Sequence, residues 1–173
     1  MRRLALITTG GTIEKTYDER TGSLSNRQSI VRQMLAGLRL EDTTIEIVEL
    51  MSKDSLDMTD EDRALIVRSV QKACDSAEVT GVVILHGTDT LTQTGEAILA
   101  AIPEPRIAVV LTGAMRPYEM KQSDALQNLT EAVFSSGVLD PGVYCVTHGR
   151  ALAFPGVVKN RETMTFVGGR ATP

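Results

Sequence analysis

Short, almost unbroken apolar runs alternate along the chain with stretches whose apolar residues recur every three or four positions. Residues 4–8 (LALIT) form the first run, which stops at Gly10-Gly11. Residues 45–50, 81–85, 107–112 and 143–147 repeat it. Runs of this length with few polar interruptions predict strands covered on both faces, as in a parallel sheet. Between them, Ile30, Met34, Leu35 and Leu38 fall at helical spacing. So do Leu65, Ile66, Ser69, Val70 and Ala73, behind a predicted N-cap at Thr59 and three acids. Residues 97–102 form a third helical stretch stopped by Pro103, and residues 125–134 a fourth closed by Gly137. The alternation predicts an α/β fold: a doubly wound, mainly parallel sheet with helices on both faces and the ligand site at the carboxyl ends of the strands. Residues 13–27 fit neither pattern and read as a long loop of the kind that forms lids.

Composition narrows the class. The 173 residues, 42% apolar and 23% charged, suit one globular domain spanning 1–173 that folds without a disulfide or metal staple. A net charge of −4 offers no basic face to nucleic acid, and three Tyr, three Phe and no Trp leave few stacking platforms. No apolar run approaches the length of a membrane span, and the one behind Arg2-Arg3 is too short for a signal-peptide core. The expectation is a soluble, cytoplasmic protein with no membrane partner. Cys74 and Cys145 read as buried free thiols, with one long-range disulfide as the alternative.

The turn after each predicted strand is polar and built of small residues. The five turns are Thr8-Thr-Gly-Gly-Thr12, Ser52-Lys-Asp-Ser-Leu-Asp57, His86-Gly-Thr-Asp-Thr90, Thr112-Gly-Ala-Met-Arg-Pro117 and Thr147-His-Gly-Arg150. Gathered on one sheet edge, they describe a pocket for a small polar ligand. The two histidines lack HExxH spacing and the cysteines lack CxxC spacing, so neither a metal nor a cofactor is expected. No GxSxG elbow occurs, and Gly10-Gly11 is not a nucleotide phosphate loop. The chemistry that remains is threonine-based. A threonine hydroxyl attacks only when a base takes its proton and donors stabilise the oxyanion. Thr12 follows two glycines that would let a substrate reach the backbone amides, and Thr88-Asp89 sets a hydroxyl beside a carboxylate. Lys159 has apolar neighbours that favour the neutral form a base requires. Each also has a structural explanation: a turn cap at Thr12, a helix cap at Asp89, a solvated lysine at Lys159.

Together, Thr9-Gly-Gly-Thr-Ile13 and His86-Gly-Thr-Asp-Thr90 resemble the two signature motifs of the bacterial-type L-asparaginase family. Thr112-Gly-Ala-Met-Arg-Pro117, Ser123-Asp124 with Asn128-Leu129, and Lys159 followed by Thr165-Phe166 extend the resemblance in the same order over nearly the whole chain. The resemblance implies hydrolysis of L-asparagine to L-aspartate and ammonia, with little activity on glutamine. Thr12 matches the nucleophile that forms an acyl-enzyme. Thr88, Asp89 and Lys159 match a second cluster in which the lysine and aspartate activate a threonine. Ser55 matches the holder of the substrate α-carboxylate and Asp89 the anchor of its α-amino group. Gly11 and the backbone around Ala114 match the lining of the amide end. Tyr17 is the candidate for the family's loop tyrosine. Glu14 and Glu19 read as solvated loop charges, with an orienting role as the alternative, and His86 and His148 as structural.

Typical members of the family add a C-terminal domain, part of which completes a neighbouring protomer's site. The sequence stops near where a linker would begin, at residues 168–173, so it resembles a short form without that domain. The expectation is a homo-oligomer, a dimer or tetramer. The rival function is an asparagine- or aspartate-binding regulatory protein with impaired turnover.

Overall fold

The computed structural model describes residues 1–171, with side chains as far as residue 168. Thr172 and Pro173, at the end of the stretch where a linker is expected to begin, lie outside the described residues. A seven-stranded sheet carries the fold. Its parallel strands are β1 (Arg2–Gly10), β4 (Thr43–Lys53), β5 (Gly81–Leu85), β6 (Ala108–Thr112) and β7 (Gly142–Thr147). They are the five strands expected from the apolar runs. The sheet order is β4-β1-β5-β6-β7, continued by two antiparallel strands, β8 (Arg150–Asn160) and β9 (Thr165–Ala171).

Alternation along the inner parallel strands β1, β5, β6 and β7 explains why their runs are apolar throughout. By contrast β4, expected to be covered on both faces, is the edge strand and leaves Glu46 and Glu49 exposed. Ala5, Ile7, Val82, Ile84, Val109 and Leu111 face one side. There they meet helices α2 (Asp60–Asp75) and α3 (Leu91–Ala101) through Ile66, Val70 and Ile98. Leu4, Leu6, Val83, Leu85, Val110 and Val146 face the other. That side is covered by α1 (Val31–Ala36) and α4 (Ala125–Ser135) through Met34, Leu129 and Val133. A strand buried on both faces leaves no polar position in its middle. The expected cap of α2 is present as a reciprocal pair: Asp62 N–H donates to the Thr59 hydroxyl, and Thr59 N–H to the Asp62 carboxylate at 2.9 Å.

Two expectations need correction. Residues 13–27 are not an unstructured loop. A short 3₁₀ turn (Thr12–Glu14) leads into a hairpin of β2 (Thr16–Asp18) and β3 (Ser23–Ser25), with Tyr17 opposite Leu24. The sheet is also larger than the apolar runs imply, because they do not announce β8 and β9. Pro155-Gly156 inside β8 breaks its sequence pattern, and the β8–β9 register shifts between Ala153 and Val157. Both cysteines are free and buried, which removes the disulfide alternative. Among the described residues no helix is long and apolar enough to cross a membrane.

Candidate active site

The connection from β1 runs outward to β4, and the chain then crosses back to β5. Between β1 and β5 the winding reverses, which is where open α/β sheets leave a crevice at their carboxyl ends. The turns after these three strands carry Thr12, Ser55 and Thr88-Asp89.

Strand-end hydroxyls and backbone groups stitch the turns together. Thr9 Oγ1 donates to the Leu85 carbonyl at 2.7 Å, and Thr112 Oγ1 to that of Val146 at 2.7 Å. Thr90 Oγ1 donates to the Ser55 carbonyl at 2.9 Å, and Gly11 N–H to that of Lys53 at 2.8 Å. Gly11 has φ +77°, and a Cβ there would sit 2.3 Å from the Gly87 nitrogen. A Cβ on Gly87 would in turn lie 2.5 Å from Ser55 Oγ. Only bare backbone lets the three turns stack this closely. His86 locks the central one. Its Nδ1 lies 2.8 Å from the Gly87 carbonyl, which can only accept, so Nε2 accepts from the Thr94 hydroxyl at 2.8 Å. Complete burial pulls its pKa down to about 4, so the ring is a neutral structural strut, as expected.

Lys159 reaches this edge from far along the chain. Phe154 fills the space over Gly95, and Gly156 N–H donates to Glu96 at 2.8 Å. β8 thus tracks along α3 toward its N-terminus, where Lys159 Nζ meets Thr88 Oγ1 at 2.8 Å and Asp89 Oδ1 at 3.0 Å. The lysine side chain is only 9% exposed, while that of Asp89 is 29% exposed. Arg161, two residues on, also pairs with Asp89, at 3.1 Å. Sequence reasoning missed Arg161, and only the two-residue period that carries on from Lys159 could have indicated it.

Other expected residues divide into those near this cluster and one that stands apart. Thr12 is half-buried on the adjoining turn, and among the described residues its hydroxyl has no hydrogen-bond partner. Ser55 is 1% exposed, and its Oγ is buried without a partner. Ala114 is buried behind Gly113, whose carbonyl accepts from Asn128 Nδ2 at 2.8 Å. Asp124 organises that turn by accepting from Met115 N–H at 2.9 Å, Arg116 N–H at 3.0 Å and His148 Nε2 at 2.8 Å. His148 is therefore a tie between turns. Tyr17 lies on the exposed face of the hairpin, 57% accessible, and its backbone N–H donates to Glu119 at 2.7 Å. It is not gathered with the Lys159 cluster.

The hairpin is fastened down beside Thr12. Lys15 pairs with Asp54 at 2.6 Å, and Asn26 Nδ2 donates to the Gly11 carbonyl at 2.8 Å. Between hairpin and Ser55 turn lies an open cleft of about 590 Å³, lined by Lys15, Leu24, Asn26, Lys53 and Asp54. Leu56, beside Ser55, is 68% exposed. Glu14 departs from expectation: it is 1% exposed, not solvated.

The sequence matches the family model for the N-terminal asparaginase domain over residues 3–166. The chain belongs to the asparaginase family. An L-asparaginase of Thermococcus kodakarensis is 39% identical over 143 residues, which are 82% of this chain and 43% of that protein. The thermostable Thermococcus enzyme also superposes with a TM-score of 0.82 at 34% identity, over 91% of this chain and 47% of that one. L-asparaginase I of Vibrio cholerae gives a TM-score of 0.76 at 25% identity, over 96% of this chain and 51% of that one. A glutamyl-tRNA(Gln) amidotransferase subunit of Thermoplasma acidophilum is 29% identical over 136 residues, 79% of this chain and 33% of that protein. The asparaginase-family chain thus spans about half or less of the length of these relatives.

Proposed function

We propose that this domain hydrolyses the side-chain amide of L-asparagine, with Thr12 as nucleophile and Lys159, Thr88 and Asp89 as its proton-handling cluster. The contact between Lys159 and Thr88 carries the proposal. A pocket that only bound an amino acid would use Ser55 and Asp89, but would have no need of a nearly buried lysine held on a threonine hydroxyl. That feature separates the enzyme from the regulatory binding protein.

In the proposed reaction Thr12 Oγ attacks the amide carbon while its proton passes to the base cluster. The oxyanion meets the backbone N–H groups of Thr12 and Ala114, since those of Gly10, Gly11 and Met115 are already donated to Glu14, Lys53 and Asp124. The tetrahedral species expels ammonia, which takes up the proton, and leaves an ester on Thr12. Water then attacks the ester, activated by the cluster, and releases aspartate. Asp89 and Ser55 hold the α-amino and α-carboxylate groups. Both pairings are complementary: a carboxylate meets an ammonium, and an unpartnered buried hydroxyl meets a carboxylate.

The T. kodakarensis likeness supports asparagine as substrate. Relatives named as amidotransferase subunits support a second reading, in which the amide is hydrolysed within an assembly with another protein. The proposal extends to self-association as a homo-oligomer. Ammonia release from L-asparagine and L-glutamine by the chain alone, beside Thr12→Ala and Lys159→Met, decides between the readings. Asparagine turnover lost in both variants supports the first. Wild-type release no faster than in the variants overturns it.

A further inference from the structure

Glu14 lies two residues past the proposed nucleophile and has no part in the proposed chemistry, yet its carboxyl group is buried at the base of the hairpin. One oxygen accepts the Gly10 N–H at 3.1 Å, and the other meets the Ser29 hydroxyl. The Ile30 N–H also donates to it. One side chain thus joins the residue before Gly11-Thr12 to the segment where the chain leaves the hairpin. The Asn26 amide on the Gly11 carbonyl adds a second tie from the same segment, while the Lys53 carbonyl on the Gly11 N–H holds the turn to β4. The hairpin side of the Gly10–Thr12 turn therefore depends on where residues 15–30 lie.

We propose that Glu14 is a positioning residue: a clasp that fastens both ends of the hairpin segment to the turn presenting Thr12, and so couples the state of the segment to the geometry of the nucleophile. The inference rests on Thr12 being the nucleophile. Its charge environment makes the clasp sensitive to pH. From β1 and the segment before α1 it meets only neutral donors: Gly10 N–H, Ser29 O–H and Ile30 N–H. From β4 it meets the like charge of Glu49, which is itself paired with Arg32 of α1 at 3.4 Å. No cation is bonded to the Glu14 carboxyl among the described residues. Burial first, with Glu49 adding, raises its pKa to about 7, against the lowering effect of the three donors. Ionisation inside the closed clasp is therefore costly, and lifting the hairpin segment into water relieves it.

Glu14→Gln imitates the neutral carboxyl, with an acceptor for Gly10 and a donor for Ser29, and cannot ionise. Trypsin cleavage after the exposed Arg20 and Arg27 reports opening of the segment without any substrate. The expected result is a cleavage rate of wild type relative to Glu14→Gln that rises roughly tenfold from pH 5.5 to 7 and levels off toward pH 8.5. The variant cancels the pH dependence of trypsin itself. In parallel, kcat of wild type shows an inflection near neutrality that Glu14→Gln lacks. Glu14→Ala, with the clasp removed, lowers kcat by roughly tenfold or more and changes KM by less than about threefold. A cleavage ratio constant across the range overturns the clasp, as does an unchanged kcat in a folded Glu14→Ala. If Glu14→Ala does not fold, the Glu14→Gln ratio alone decides. A ratio that shifts in a protein with no asparagine turnover supports the clasp and defeats the amidohydrolase reading instead.

Discussion

Lys159 donates to the Thr88 hydroxyl at 2.8 Å across a separation of 71 residues. The contact joins an antiparallel extension of the sheet to its parallel core, at the place where the winding reverses. It also ranks the expected effects of substitution.

Lys159→Met keeps much of the apolar stem while deleting the amine. Turnover of L-asparagine should fall on the order of 10²–10⁴-fold. Circular dichroism and thermal unfolding should show an intact fold, since Asp89 keeps Arg161 as a partner. Wild-type kcat in this variant would remove Lys159 from the chemistry.

The ester should form on Thr12. Acid quenching during turnover, followed by peptide mass analysis, should find an aspartyl adduct on the peptide containing Thr12 and none in Thr12→Ala. An adduct on the peptide containing Thr88 would exchange the roles of the two threonines.

Ser55→Ala separates binding from stability. The hydroxyl is buried without a partner, so its removal deletes an unsatisfied group and should leave the unfolding free energy unchanged or slightly raised. KM for asparagine should rise by roughly tenfold or more, because the α-carboxylate loses its hydroxyl donor. A large loss of stability with an unchanged KM would make Ser55 a packing residue.

Gly11→Ala tests the stacking of the turns. The added Cβ meets Gly87 backbone at 2.3 Å in a residue with φ +77°. The left-handed conformation alone costs on the order of 1–3 kcal/mol, and relief of the clash must move Thr12 away from the Thr88 turn. Both a lower urea midpoint and a large loss of kcat are expected; a stable, fully active variant would contradict the geometry.

Glu14 should also leave a signature in stability. Its carboxyl titrates near 4.5 in an unfolded chain and near 7 in the folded one. Between these values the unfolded state binds fewer protons, so stability falls as pH rises through the window. The difference between Glu14→Gln and wild type in urea unfolding should therefore shift in favour of the variant by about 3 kcal/mol from pH 4.5 to pH 7. Subtracting the two proteins cancels the opposite slope from His86, whose depressed pKa removes stability as pH falls from 6.5 toward 4. A difference that does not change with pH would mean that Glu14 is hydrated in the folded protein.

Much of this molecule is legible from the chain alone. The five parallel strands, the four helices and the polar turns at one edge are readable because double-sided burial writes a continuous apolar run in four of the strands, the edge strand β4 keeps alternate apolar positions, and strand ends write glycine and threonine. Thr12, Thr88 and Asp89 belong to such turns and can be named from local sequence; Ser55 is named through the family resemblance. Tertiary structure decides the rest. β8 and β9 are mixed in polarity and interrupted by Pro155-Gly156, so no periodicity announces them, and the path that carries Lys159 along α3 exists only once Phe154 has packed over Gly95. Glu14 shows the same limit at a single residue. A glutamate in a charged, glycine-containing stretch looks solvated, because its burial comes from Gly10, Ser29 and Ile30 folding around it rather than from its neighbours in sequence. Sequence determines what pattern each segment can bury; long-range packing determines which charged groups are enclosed with it.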